Sequence, residues 1–326
     1  DCLLSRGLGD VYKRQALYDE EKPAIVSPAY FMFEVIDNSI LKEDYLMMWF
    51  RRPEFDRICW LHTDGSVRGG ITWDDICRLE LPIPPIEKQL EIVNSYKAIT
   101  ERIALKQKIN DNLVQAVQTL YKAMFIEPEC KYPTVPMVEL CSKIGSGATP
   151  KGGKSAYCDE GISLIRSTNV FDYNFAYTDL AHISDEQANA LSNVVVEQKD
   201  VLFNITGVSV ARCCIVPDDV LPARVNQHVM ILRPYKGKLM SYFIMATLCY
   251  TENKAKLLGI GQSGSTREAI NKQEMESFQI IVPPDNMIED FGTKAEQLYN
   301  MICSNIQEIK HLESMQQLIL MQLSSR

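Results

Sequence analysis

The sequence predicts a mixed α/β fold in which globular α/β domains are joined by two long helices that pair as a coiled coil. Three observations carry this reading. The chain repeats itself at a constant offset of 199 residues. Both copies end in an apolar seam of heptad spacing at matched positions. Between the two seams lies a tract of short apolar and β-branched runs separated by turn residues.

The repeat is clearest where chance apolar matches cannot account for it. Gly65-Ser66-Val67-Arg68 falls on Gly264-Ser265-Thr266-Arg267, Ile71 on Ile270, and Pro84-Pro85 on Pro283-Pro284. The same offset, without a gap, places Val26 on Val225 and Phe31-Met32-Phe33 on Met230-Ile231-Leu232.

After the paired prolines each copy becomes helical. Ile92, Tyr96, Ile99, Ile103, Lys106, Asn110, Leu113, Val117, Leu120 and Met124 follow an alternating four–three spacing. Their counterparts are Phe291, Ala295, Leu298, Ile302, Asn305, Ile309, Leu312, Gln316, Ile319 and Leu323. Such a seam over more than four heptads is the pattern of a coiled-coil helix. The first helix is expected over 86–126, roughly 60 Å at 1.5 Å per residue, and the second over 285–326. Two amphipathic helices packing separately on domain cores would be the plainer account; the matched register favours mutual pairing.

Residues 127–284 read as one α/β domain with its core between Pro133 and Pro284. Ile162–Ile165, Val194–Val196, Asp200–Phe203 and Val229–Leu232 are strand candidates, and Lys238–Leu258 reads as one or two helices. Residues 16–85 match only the second half of such a domain, so the apolar groups around Phe31, Phe33 and Trp49 are expected to lose part of their cover. The tract 1–15, DCLLSRGLGDVYKRQ, resembles translated adapter read-through; it is expected to be non-native and is left out of the fold.

Composition bounds the function. The charge is −8 and the pI about 5.2, opposite in sign to the usual nucleic-acid-binding domain. No apolar run approaches the ~18–20 residues that span a bilayer, and no signal-peptide pattern opens the chain, so a soluble, cytoplasmic protein is expected. Ten cysteines are scattered without a C-x-x-C pair, and Cys213 and Cys214 are adjacent. Reduced, partly buried thiols and no metal are expected.

The chemistry-bearing patterns are weak. Gly147 to Ser155 (GATPKGGKS) imitates a phosphate-binding loop but has an extra glycine and Ala148 where the first glycine belongs. Asp285 with Glu308 and Lys310 could be read as a nuclease centre, yet the last two sit on the second helix, where charged pairs are routine. The N/D-P-P-Y/F motif of adenine methyltransferases is absent, as is a GxGxxG cradle. Four scattered histidines suggest no triad. No catalytic residue and no cofactor are therefore assigned.

A family resemblance emerges from several segments together. These are Ile25-Val26-Ser27-Pro28-Ala29-Tyr30, Ile71-Thr72-Trp73-Asp74-Asp75-Ile76 and Leu81-Pro82-Ile83-Pro84-Pro85-Ile86-Glu87-Lys88-Gln89 in the first copy. In the second they are Gly147-Ala148-Thr149-Pro150, Ile162-Ser163-Leu164-Ile165-Arg166, Asp200-Val201-Leu202-Phe203 and Asn226-Gln227-His228-Val229. In order and character they resemble the specificity (S) subunit of Type I restriction–modification systems, over about residues 16–326. Two departures stand out: the first domain is incomplete, and the second Pro-Pro is followed by Asp285-Asn286-Met287-Ile288 rather than E-x-Q.

The resemblance implies two target-recognition domains, each reading one half of a split, asymmetric site in double-stranded DNA. The two long helices would form an antiparallel coiled coil that spaces the domains. Two methyltransferase subunits would dock on the helices and a restriction–translocase subunit would join them. The S subunit would carry no chemistry of its own and would need no membrane.

On that reading, DNA contacts fall to cationic and amide side chains on turns beside strands. The candidates are Lys143, Lys151 and Lys154 around the glycine-rich loop, and Arg166, Ser167, Thr168 and Asn169 after one strand. Arg212, Asn226 and Gln227 follow, then Gln262, Ser263, Ser265 and Arg267, with Arg68 in the first copy. The repeated G-S-x-R makes Arg267 and Arg68 the leading pair. Residues 133–285 hold 14 Lys and Arg against 16 Asp and Glu, so most of the negative charge lies outside this domain. The competing reading is a coiled-coil adaptor whose α/β domain binds protein; a basic cleft on that domain would separate the two.

Overall fold

The computed structural model describes residues 15–18, 21–26, 30–61, 72–128, 132–262 and 269–323. They divide into two units, Asp1–Lys106 with Glu308–Arg326, and Gln107–Gln307. The first long helix runs Ile86–Phe125 and the second Asp285–Gln322, as the heptad spacing predicts, and each contributes to both units.

In the first unit, helices Glu43–Phe50, Pro53–Leu61 and Trp73–Cys77 precede the first long helix. Thr72 caps the third of them: its hydroxyl accepts from Asp75 N–H while Asp75 reaches back to Thr72 N–H. Tyr45 and Met48 pack with Val93, Leu320 and Leu323, so both long helices supply this small core. Gln89, wholly buried, donates to the Ile40 and Pro84 carbonyls at 2.8 Å each and accepts from Lys42 N–H at 2.9 Å. Those three bonds fix the start of the long helix to the segment before Glu43. Phe31 and Phe33 are nearly half exposed, whereas Trp49, expected to lose cover with them, is buried, with the Arg52 guanidinium 4.3 Å from its ring centroid. The helices run antiparallel here, with Thr100 opposite Gln316 and Arg102 and Lys106 both paired to Glu308.

The second unit is built on strands β1 (Thr134–Pro136), β2 (Cys141–Ser146), β3 (Ile162–Ile165), β4 (Val170–Phe171), β5 (Asn174–Phe175) and β6 (Ala181–Ile183). They continue with β7 (Val195–Val196), β8 (Val201–Asn204), β9 (Cys213–Ile215), β10 (Ala223–Val225), β11 (Val229–Pro234) and β12 (Gln279–Ile281). One sheet, ordered β2-β11-β8-β9, is antiparallel throughout. The second four-stranded sheet, β6-β3-β10-β7, contains a parallel pair, β3 with β10, and β1-β12 and β4-β5 form two-stranded antiparallel sheets.

The unbroken apolar runs of β8 and β11 follow from burial on both faces. Val201, Phe203, Met230 and Leu232 face a core completed by helix Gly237–Cys249 and the long helices. Leu202 and Ile231, on the opposite face, pack with Leu164, Ile165 and Val225 of the other sheet. At the edge of this layer Asp200, fully buried, takes both Nε and Nη2 of Arg233 at 2.8 and 2.7 Å and also accepts Glu197 N–H at 2.7 Å.

The long helices change character inside this unit. Val117 is buried as the seam predicts, but after it the buried positions are Tyr121 and Phe125 rather than Leu120 and Met124, and in the second helix Tyr299 rather than Leu298. Leu120 and Leu298 are only partly buried beside them. A straight helix drifts about 20° per heptad from a 3.5-residue pattern, and here the helices bury a face against a globular core as well as against each other. Phe125 meets Phe243 and Phe291 at ring separations of 5.2 and 5.3 Å. Gly292 comes so close to helix Gly237–Cys249 that a Cβ there would lie 2.7 Å from the Leu239 carbonyl oxygen.

The polar step anticipated in the seam is an amide pair: Asn305 Nδ2 donates to Asn110 Oδ1 at 2.7 Å. Replacing Asn305 alone by leucine is expected to cost about 1–2 kcal/mol, because Asn110 then loses its partner in a half-buried position. Replacing both by leucine should recover that loss while relaxing the register. Urea unfolding of the two variants checks the order.

Candidate nucleic-acid interface

Three strand ends meet at one rim of the second unit. In the parallel β3–β10 pair, Ile165 lies opposite Val225, so the chain leaves both strands at the same end, through Arg166 and Asn226. The backbone confirms the junction: Asn226 N–H donates to the Ile165 carbonyl at 3.0 Å. From β2 arrives Gly147, whose N–H donates to the Asn226 carbonyl at 3.1 Å. A Cβ on Gly147 would stand 1.7 Å from the Val225 carbonyl oxygen, so only glycine permits this approach.

The result is a cleft of about 320 Å³ lined by Thr149, Pro150, Gly153, Lys154, Tyr157, Arg166, Ser167, Thr168, Asn226, Gln227 and His228. It is rich in hydrogen-bond donors, and its lining among the described residues includes the cationic side chains of Lys154 and Arg166 and no carboxylate. Gly152 and Gly153, both at positive φ (99° and 60°), turn the loop that brings Lys154 to the rim.

The floor is held rigidly. Asn204, buried at the end of β8, donates to the Ser167 and Val170 carbonyls at 2.9 and 3.2 Å. Arg166 lies over the Tyr157 ring, 5.5 Å from its centroid, with one terminal nitrogen donating to the Asp179 carbonyl. Its Nε is buried and meets no acceptor among the described residues. Asn226 accepts His228 N–H through Oδ1 at 3.0 Å, which leaves it the donor end of its amide to offer. Gln227 Nε2 lies 2.9 Å from His228 Nε2, and His228 Nδ1 lies 2.6 Å from Thr206 Oγ1.

Of the residues singled out in the sequence, Lys154, Arg166, Ser167, Thr168, Asn226 and Gln227 line this one cleft. Lys151 is exposed on the same loop but not in the lining. Asn169, expected among the DNA contacts, does not line the cleft. It is wholly buried, donating to the Ala176 and Thr178 carbonyls and accepting Arg166 N–H at 3.0 Å, so its amide shapes the loop instead of facing a ligand. Lys143 sits in β2 with its ammonium on the Asn193 carbonyl at 2.6 Å, and Arg212 stacks over Phe171 at 4.7 Å; neither lines the cleft. Gln262 ends helix Thr251–Gln262 and is exposed. Arg68, Ser263, Ser265 and Arg267, and with them the repeated G-S-x-R, lie outside the described residues.

Thr149, Tyr157 and His228 also line the cleft, and Asn204 and Gly147 set it, although no pattern in the sequence marks them for that role. The described cysteines form no disulfide, and burial pushes the Cys141 thiol up to about 12 and Cys303 up to about 11. No helix among the described residues is long and apolar enough to cross a membrane.

No protein-family model matches the chain. Among solved structures, the Type I restriction–modification system S subunit from M. genitalium aligns with a TM-score of 0.54 at 14% identity, over 88% of this chain and 74% of that one. The HsdS subunit from Thermoanaerobacter tengcongensis aligns at 0.42 and 20% identity, over 87% and 70%. A chain from a structure of complex assembly and conformational transition in a type I R-M system aligns at 0.44 and 20% identity, over 88% and 72%. The alignment with the M. genitalium protein, which spans most of both chains, shows that this chain has the fold of a Type I restriction–modification S subunit.

Proposed function

We propose that this chain is a sequence-specific DNA-binding subunit, the specificity subunit of a Type I restriction–modification complex. The observation that carries the reading is the cleft at the joint end of β3 and β10, where cations and amides converge with no carboxylate among the described lining residues. Lys154 and Arg166 suit phosphate oxygens; Asn226 and Gln227 suit base edges. A protein-binding adaptor would have no need of such a lining.

The paired helices, with their fixed amide step, suit a scaffold on which two methyltransferase subunits dock and which a restriction–translocase subunit joins. The DNA would be read as two half-sites, this unit taking one of them. Catalysis would belong wholly to the partners, and the complex would work in the cytoplasm.

Methylome sequencing of cells that express this gene with its partner methyltransferase is the first test. A split motif, absent from cells lacking this gene, is expected; methylation without a motif, or none, would overturn the proposal. Lys154→Ala and Arg166→Ala should each weaken binding of the complex to matched and mismatched duplexes alike. Each should also lower the slope of log K against log salt by about 0.9, the value for one phosphate contact. An unchanged slope in both variants would remove these residues from the interface.

A further inference from the structure

Resting on that reading, we infer that Gln227 reads an adenine, and that Thr206 and His228 orient it for the purpose. Gln227 is exposed, and an exposed glutamine is ordinarily a mobile side chain with no fixed polarity. Here its amide nitrogen lies 2.9 Å from His228 Nε2. An amide nitrogen only donates, so in this arrangement of the amide His228 Nε2 is the acceptor and Nδ1 is the nitrogen that carries hydrogen. Nδ1 in turn lies 2.6 Å from Thr206 Oγ1, which accepts that proton's hydrogen bond.

Thr206 is itself anchored, because its backbone bridges Ala269 and its neighbour Ile205 donates to the His228 carbonyl at 3.0 Å. His228 N–H is taken by Asn226 Oδ1, so the imidazole is gripped from the backbone as well as from Nδ1. The chain of polarity therefore runs in one direction, from the Gln227 amide through the ring to the threonine hydroxyl.

With one Nε2 hydrogen committed to His228, Gln227 is left with its other N–H and the carbonyl oxygen Oε1. That is one donor beside one acceptor. Adenine presents the complement in the major groove, an N7 acceptor beside the N6 amino donor, whereas guanine presents two acceptors, N7 and O6. Guanine in the same place would set O6 against Oε1, two lone pairs with no proton between them. Thr206 and His228 are positioning residues in this scheme; Gln227 alone would touch the base.

The test uses the full-length subunit co-expressed with its methyltransferase partner, with the methylation motif as readout and thermal melting as a fold control. Gln227→Ala is expected to make one adenine position of the motif degenerate, with discrimination at that position falling by about ten- to a hundredfold. Thr206→Val and His228→Phe should relax the same position and no other, and Thr206→Ser, which keeps the hydroxyl, should restore it. A full motif in Gln227→Ala, while Lys154→Ala and Arg166→Ala still weaken binding, would overturn adenine reading and leave DNA recognition by the cleft intact. If none of these variants alters motif or binding, the proposed function of the cleft fails with it.

Discussion

Replacing Arg233 by methionine is expected to lower the stability of the second unit by about 3–5 kcal/mol, the cost of stranding a buried charge. The charge is Asp200, at 0% exposure, held by Arg233 through two hydrogen bonds and by a third from Glu197 N–H. Burial already pushes the Asp200 carboxyl above the ordinary carboxylate value, against the downward pull of Arg233. Without the guanidinium that pull is gone and the carboxyl rises further.

The sign of the pH dependence follows. A carboxyl whose folded-state value lies above its unfolded one favours folding when it is protonated, and that advantage is lost as pH rises through the folded value. The variant should therefore be nearest to wild type in acid and fall progressively behind it as the solution approaches neutrality. Chemical denaturation across pH measures this. The double variant Asp200→Leu/Arg233→Met should recover most of the loss, since removing both charges leaves no unpaired ion. A single variant as stable as wild type at neutral pH would refute the assignment.

Gly147→Ala carries the second large effect. Its Cβ would be placed 1.7 Å from the Val225 carbonyl oxygen and 2.9 Å from that of Asn226, both backbone atoms that cannot rotate away. The loop must lift, breaking the Gly147 N–H bond to Asn226. Crowding of this kind costs about 1–3 kcal/mol. The larger consequence is local: Thr149, Lys154 and Tyr157 follow Gly147 on the displaced loop, while Arg166, Asn226 and Gln227 stay behind on their strands. Binding of the complex to matched duplex should drop toward its affinity for mismatched duplex, with the melting cooperativity of the unit retained. Equal matched and mismatched losses would mean that the loop supplies only phosphate contacts.

The parts of the fold that were legible in the sequence are those with a local signature. The heptad spacing located both long helices, and the apolar runs located β3, β8 and β11 to within two residues. What the spacing could not reveal was the face presented at the helix ends, because Tyr121 and Phe125 are buried against a core made by residues more than a hundred positions away, such as Phe243 and Phe291. The cleft was legible only as scattered parts. Arg166 and Asn226 are sixty residues apart in sequence, and nothing local announces that β3 and β10 pair in parallel and release them at one end. Asn169 misled for the same reason: beside Arg166, Ser167 and Thr168 it looked like one more donor, and only burial shows that its bonds are already spent on the loop.

The sharing of Val117, Tyr121, Phe125, Phe291 and Tyr299 between the long helices and the globular core bears on modular exchange. A chimera cut at the ends of the helices, near 127 and 284, would transplant a domain without a wall of its hydrophobic interior and would leave the aromatic side chains on the recipient helices facing a foreign surface. The natural unit of transfer is Gln107–Gln307, with both junctions inside helices. A splice there replaces one helical turn by another and keeps the heptad phase, so exchanging this unit between chains of the same fold becomes a problem of matching two helix registers.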